Sequence, residues 1–185
     1  MLKKNTVIIF PTDTVYGIGC SVFDKEAQKR IYEIKHRPLD KRLSVLCKDL
    51  SQIEMIAELS LDAKRIISAF MPGGLTIIVP SKKELIGEGI MDTVGVRIPN
   101  HPLTLKLLDL YGPLATTSVN VSGNAPLNDY DEIVKEFGMK VDAVYQNELT
   151  LSRISSTVID LTQEPIQLIR AGEIPFEEIL RILYK

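Results

Sequence analysis

The first regular pattern along the chain is Thr6-Val-Ile-Ile-Phe10, a β-branched apolar run closed by Pro11. It predicts a buried strand running into a polar turn. Asp24 then stands ahead of Ala27, Ile31 and Ile34, which recur at i, i+4 and i+7 while Lys25, Lys29 and Arg30 fall on the other side. That spacing predicts a capped amphipathic helix. Leu43–Cys47 reads as a second strand, and Ser51 with Glu54 as a capping box before a short helix. A helix from about Ser60 to Phe70 is stopped by Pro72-Gly73-Gly74, after which Leu75–Val79 and, beyond a Gly-bearing loop, Val94–Ile98 are continuous apolar runs typical of central strands. Pro102 suits the first turn of a helix carrying Leu103, Leu107 and Leu108, and Leu114–Thr117 returns to strand. Asp129 opens another helix that Gly138 is placed to close. Ser155–Asp160, Ile166–Ile169 and a C-terminal amphipathic helix complete the pattern.

Strands and helices intermingle throughout, which predicts an α/β or interleaved α+β domain with a twisted, mixed sheet flanked by helices. Their order in the sheet is not written in these local patterns. With 185 residues and 45% apolar content, one core suffices, and a single domain over 1–185 is expected. Twenty-two basic residues against 24 acidic ones leave a net charge of −2, too little for a global field that draws the chain to nucleic acid or an anionic membrane. No apolar run approaches the ~18 residues that span a bilayer, so a cytoplasmic protein is expected. Cys20, Cys47, His36 and His101 share no ligand spacing, which argues against zinc and for two buried thiols.

Candidate chemistry gathers at the predicted strand ends, where α/β sheets hold ligands. Neither GxGxxG nor GxxxxGK[ST] occurs, so neither a Rossmann cofactor nor a P-loop nucleotide is indicated. Pro11-Thr-Asp-Thr-Val-Tyr-Gly-Ile-Gly19 offers hydroxyls and open backbone after a strand, although an ordinary Asx-type turn has the same composition. Lys35-His-Arg-Pro-Leu-Asp-Lys-Arg42 suits a polyphosphate if Pro38 keeps the loop ordered, and is otherwise a solvated charged loop. Arg97 lies within an apolar strand and needs a carboxylate, of the protein or of a ligand. Thr116-Thr-Ser-Val-Asn-Val-Ser-Gly123 is rich in donors and acceptors, and Ser155-Ser-Thr157 begins one strand while Arg170 ends another.

Taken in this order, PTDTVYGIG, KHRP, PGGLTIIV, VGVRIPNHP, TTSVNVSG, SSTVIDL and IRAG resemble the YrdC-like family, most closely its stand-alone bacterial threonylcarbamoyl-adenylate synthases. The likeness runs from Pro11 to Gly172, with Lys35/Arg37 and Ser118/Asn120 matching the family's paired K-x-R and S-x-N signatures. It implies a concave ligand cavity and a nucleotidyl transfer in which L-threonine, bicarbonate and ATP with Mg²⁺ give threonylcarbamoyl-AMP and pyrophosphate. It also implies that the adenylate serves N6-threonylcarbamoyladenosine formation at position 37 of tRNAs reading ANN codons, with a tRNA contact and partner proteins completing the transfer. Carried over by the resemblance, Lys35 and Arg37 are the catalytic pair on the ATP phosphates. Lys41, Thr93, Ser118, Asn120 and Arg170 join them on the nucleotide side. Thr14, Arg97, Thr116 and Ser156 fall to threonine, with Thr12 as a neighbour, and no protein side chain is assigned to the metal.

The chain departs from the family pattern at Lys41, where many members carry Asn, and at Leu46, where many carry His. It also has few residues before its first strand and is read without the extra C-terminal domain of longer relatives. Other readings of the same fold are a tRNA- or double-stranded-RNA-binding protein without catalysis, a carbamoyl-transfer domain, and a nucleotide sensor. The carbamoyl-transfer domain normally sits in a longer chain with zinc-finger-like cysteines.

Overall fold

A computed structural model describes residues 2–85 and 91–184. Part of the Gly-bearing loop expected before Val94 therefore lies outside the described residues. The elements follow the apolar pattern closely. They run β1 (Ile8–Phe10), β2 (Gly17–Ser21), α1 (Lys25–Lys35), β3 (Ser44–Leu46), α2 (Leu50–Ile56), α3 (Leu61–Phe70), β4 (Leu75–Pro80), β5 (Thr93–Arg97) and α4 (Pro102–Tyr111). β6 (Leu114–Ser118), α5 (Tyr130–Phe137), β7 (Ala143–Val144), β8 (Thr157–Asp160), β9 (Gln167–Arg170) and α6 (Phe176–Leu183) follow.

Caps are where sequence predicts them for α1, α3 and α5, whose Asp24, Ser60 and Asp129 side chains accept the backbone N–H groups of Ala27, Ala63 and Glu132. The exception is α2. Asp49, not Ser51, caps it by accepting from Gln52, and Ser51 lies inside the first turn. Gly138 ends α5 in right-handed helical geometry and passes into a short 3₁₀ turn, so its freedom at positive φ is not used.

The strands form one mixed sheet in the order β7-β1-β2-β6-β3-β5-β4-β8-β9. Pairs β1–β7, β3–β5 and β4–β8 are parallel, and the others antiparallel. Because side chains alternate along a strand, registration sorts them into two faces. One face carries Ile9, Ile18, Ala115, Val45, Val96, Ile77 and Ile159, and the apolar stripes of α1, α2, α3, α5 and α6 close over it as the main core. On the other face, Ile8, Phe10, Leu114 and Leu46 pack with Leu107 and Leu108 of α4, with Leu2, Leu103, Tyr111, Ala143 and Tyr145 at the margin. α4 covers part of that face, and the cavity occupies the remainder.

Candidate functional site

Beyond the reach of α4, the second face is floored by small or hydroxylated residues. Register places Gly17 beside Ser118, Thr116 beside both Gly19 and Ser44, Ser44 beside Gly95, and Thr76 beside Val158. Two of these glycines are required sterically. A Cβ at Gly17 would stand 2.9 Å from the Thr116 methyl, and one at Gly19 2.7 Å from the Thr116 hydroxyl. The resulting cavity encloses about 240 Å³ and is lined by Arg37, Arg42, Arg97 and Arg170 together with a set of hydroxyls, with no carboxylate among its lining residues.

At one end lies Arg97, whose side chain is buried. Its Nε donates to the Gly73 carbonyl (2.8 Å), Nη1 to Thr14 Oγ1 (2.8 Å) and Nη2 to Asp13 Oδ1 (2.7 Å). The carboxylate that a buried guanidinium demands is thus supplied by the protein, and Arg97 and Asp13 form an ion pair whose side chains are 7% and 16% exposed. A guanidinium has five N–H donors, so one on each terminal nitrogen remains for a ligand. Thr12 fixes this corner. Its hydroxyl donates to the Val15 carbonyl (2.6 Å) and lies 3.0 Å from Thr14 Oγ1, leaving the Thr14 hydroxyl to donate to Thr12 and accept from Arg97.

At the opposite end Arg37 lines the cavity, its Nε and Nη2 donating to the Lys41 and Arg42 carbonyls at 3.0 and 2.9 Å. Those two bonds order the loop after α1, as Pro38 leads one to expect. They bring Arg42 rather than Lys41 into the lining. Lys41 is exposed, and its carbonyl serves Arg37 and the Tyr32 hydroxyl. Arg42 donates to the Thr93 hydroxyl and pairs with Asp92 at 3.2 Å. Thr93 itself lines an adjoining cavity that shares Arg42.

Lys35 is placed differently from what the family resemblance implies. It is 0% exposed, and its Nζ donates to the Ser118 carbonyl (2.5 Å), the Asn120 carbonyl (2.7 Å) and Asn120 Oδ1 (2.5 Å). All three ammonium protons are engaged by the protein. Asn120 is likewise committed to the loop, accepting from Lys35 and the Ser118 hydroxyl and donating to the Asn124 carbonyl, so neither Lys35 nor Asn120 lines the cavity. Burial, and secondarily the charge of Arg37, pulls the Lys35 ammonium down to about 7.

The third wall is the β8–β9 hairpin. Arg170 donates twice to the Ser156 carbonyl, at 3.1 and 2.7 Å, and once to the Ser156 hydroxyl at 3.1 Å. Ser156 Oγ in turn meets Thr76 Oγ1 at 2.9 Å. Burial, with the charges of Arg97 and Arg37 next, lowers the Arg170 guanidinium from its usual range. Cations crowded in this way favour an anion among them. Cys20 and Cys47 are free and buried away from this chemistry, and burial pushes the Cys20 thiol up to about 12.

The structure therefore gathers Thr14, Arg37, Arg97, Thr116, Ser118, Ser156 and Arg170 around one cavity, with Thr93 at its margin. No carboxylate stands in the lining, and among the described residues there is no cluster of three or more metal-ligating side chains. Among the described residues no helix is long and apolar enough to cross a membrane.

The family model described as "Telomere recombination", Sua5/YciO/YrdC, matches residues 1–172. The chain belongs to the Sua5/YciO/YrdC family. Its curated relatives include the Threonylcarbamoyl-AMP synthase of Pyrococcus abyssi, 36% identical, and the Putative threonylcarbamoyl-AMP synthase of Methanocaldococcus jannaschii, 37% identical. The matches cover 98% and 97% of this chain, and 55% and 86% of those proteins. The chain thus spans about half the length of the Pyrococcus relative. The crystal structure of P. abyssi Sua5 complexed with L-threonine superimposes with a TM-score of 0.89 at 36% identity, over 97% of this chain and 54% of that one.

Among the residues of this Sua5/YciO/YrdC cavity, Ser44 and Thr76 carry no role in the sequence reading, and Arg42 and Ser155 stand there only as members of the basic and Ser-Ser-Thr segments. For Ser44 a signal existed. Within the predicted strand Leu43–Cys47 it shares a face with Leu46, at the two-residue period of a strand.

Proposed function

We propose that this chain is a threonylcarbamoyl-AMP synthase, using L-threonine, bicarbonate and Mg-ATP. The observation that carries the reading is a carboxylate-free cavity with two unengaged N–H donors of Arg97 at one end and Arg37, Arg42 and Ser118 at the other. That polarity suits an amino-acid carboxylate at the first end and a polyphosphate at the second.

The threonine amine adds to CO₂ from bicarbonate, losing a proton and forming the carbamate. A carbamate oxygen then attacks the α-phosphorus, the bond to the β-phosphate oxygen breaks, and pyrophosphate leaves with the bonding pair. Such a transfer depends on alignment and charge neutralisation, so an arginine- and hydroxyl-lined cavity is chemically sufficient. Arg97 and Thr14 orient threonine, with Thr116 and Ser156 beside it. Arg37, Arg42 and Arg170 neutralise the nucleotide phosphates, with Ser118 beside them. Lys35 acts on the phosphates through the Ser118–Asn120 loop it holds, and is a positioning residue. Carried further, the reading places the reaction in the cytoplasm, with the adenylate consumed in threonylcarbamoylation of adenosine 37 by partner proteins that bring the tRNA.

Pyrophosphate release by the purified protein, with L-threonine and bicarbonate omitted in turn and the nucleotide product weighed by mass spectrometry, tests the proposal. Release that requires both, with a threonylcarbamoyl-AMP mass, is expected. Release indifferent to threonine, or none, would overturn it, and steep salt-dependent tRNA binding without release would favour an RNA-binding role.

A further inference from the structure

Most cavity hydroxyls are already engaged. Thr12 donates to Val15, Thr14 meets Thr12 and Arg97, Thr76 meets Ser156, Thr116 donates to the Leu114 carbonyl, and Ser118 donates to Asn120. Among the lining hydroxyls, those of Tyr16, Ser44, Thr117 and Ser155 have no hydrogen-bond partner among the described residues; Tyr16 packs in the main core, and Thr117 pairs in register with Ile18 on that core face. Ser155 sits on the hairpin wall, whereas Ser44 lies on the floor between the two charged ends. In register, Leu46 pairs with Arg97 and Ser44 with Gly95, so Ser44 is one strand repeat from the Arg97 position, on the side of Arg42. Gly95 keeps the floor beside it low. An added Cβ there would stand 3.4 Å from both Ser44 Oγ and the Thr76 methyl.

Resting on the synthase reading, we infer that the Ser44 hydroxyl is a catalytic donor that holds the carbamate of the substrate in line with the α-phosphorus. Two residues along a strand advance roughly 7 Å. The three bonds from the carboxylate carbon to the carbamate carbon, with an oxygen at each end, span roughly 6 Å. Ser44 and Arg97 line the same cavity, so in the inferred pose a carboxylate on the free Arg97 N–H groups leaves the carbamate in reach of Ser44, between the two charged ends. Ser44 forms no covalent bond. Its O–H donates to the carbamate oxygen that is not attacking, which fixes the orientation of the one that is.

Ser44→Ala and Ser44→Thr test this with two readouts, steady-state pyrophosphate release and equilibrium binding of L-threonine by calorimetry. In the alanine variant kcat is expected to fall about 10- to 100-fold, in line with loss of one donor to a developing charge. The threonine Kd should stay within about twofold, since the ground-state carboxylate contact to Arg97 is untouched. Ser44→Thr, which keeps the hydroxyl, should recover most of the rate. An unchanged kcat in Ser44→Ala, or a threonine Kd that rises in step with the lost kcat/KM, would overturn the assignment while leaving the synthase reading intact. A wild-type protein with no threonine-dependent release would overturn both.

Discussion

Lys35 shows how a single side chain can govern a site it does not enter. Three oxygens meet three N–H groups, and together they hold the turn that carries Ser118. Replacing it with methionine strands those oxygens, at an expected cost of about 3 kcal/mol. The substitution also has a pH signature. With the folded group near 7 and its ordinary value at 10.5, the unfolded chain holds more protons between those limits. Wild-type stability from this group therefore rises with pH across that window and is least below it. Urea unfolding at several pH values should show that slope in the wild type and lose it in Lys35→Met. Sequence alone marked Lys35 as a phosphate ligand through its motif. What it could not supply was the destination of the side chain, because the acceptors lie more than 80 positions away. Arg97 was the converse case. An arginine in an apolar run announces a buried partner, yet Asp13, 84 positions earlier, becomes that partner only once the turn after β1 packs beside β5.

At the scale of elements, the β8–β9 hairpin and the segment after it form a clasp. Thr157 Oγ1 donates to the Ile174 carbonyl at 2.6 Å, and the Glu173 N–H reaches the Ser155 carbonyl at 3.1 Å. Gly172 permits the approach. A Cβ there would lie 2.3 Å from the Ser155 carbonyl oxygen and 2.4 Å from Thr157 N, both backbone atoms that cannot rotate aside. Gly172→Ala should therefore destabilise the protein by about 2–3 kcal/mol and draw Arg170 away from Ser156, weakening nucleotide binding more than threonine binding. Thermal melts with paired titrations would reveal both effects. Long apolar elements such as β4, β5 and α3 were legible because burial on a packed face imposes a period. β2 read as a turn, since Gly17 and Gly19 lower strand propensity, and their real reason is the Thr116 side chain across the ladder. β7, two residues long, is too short to carry a period at all.

For the molecule as a whole, the asymmetry of the sheet matters most. Among the described residues five helices close one face, and on the other α4 leaves an arginine-lined floor accessible. Filling that site should stabilise the fold appreciably. At 100 times its Kd, Mg-ATP adds about 2.7 kcal/mol, which for a chain of this size is a Tm rise of roughly 5–10 °C. Differential scanning fluorimetry should show it, and Arg37→Ala should keep its own unliganded transition while losing most of the shift. The mixed α/β class was readable from alternating periods, whereas the strand order was not. Neighbours such as β2 with β6, or β4 with β8, are chosen by packing between distant stretches that no local pattern records.

That order also sets a timetable for the cell. Arg37, Arg97 and Arg170 come from three well-separated parts of the chain, and the last is supplied by the sheet's final strand. A growing polypeptide has β1 to β6, which carry most of the core-facing strand residues, before it has the third wall of its cavity. A ligand that needs all three arginines therefore cannot serve as an early template for folding. Such a ligand could engage fully only a chain synthesised past Arg170, so on the synthase reading its occupancy would act as a check on completion rather than as an aid to assembly.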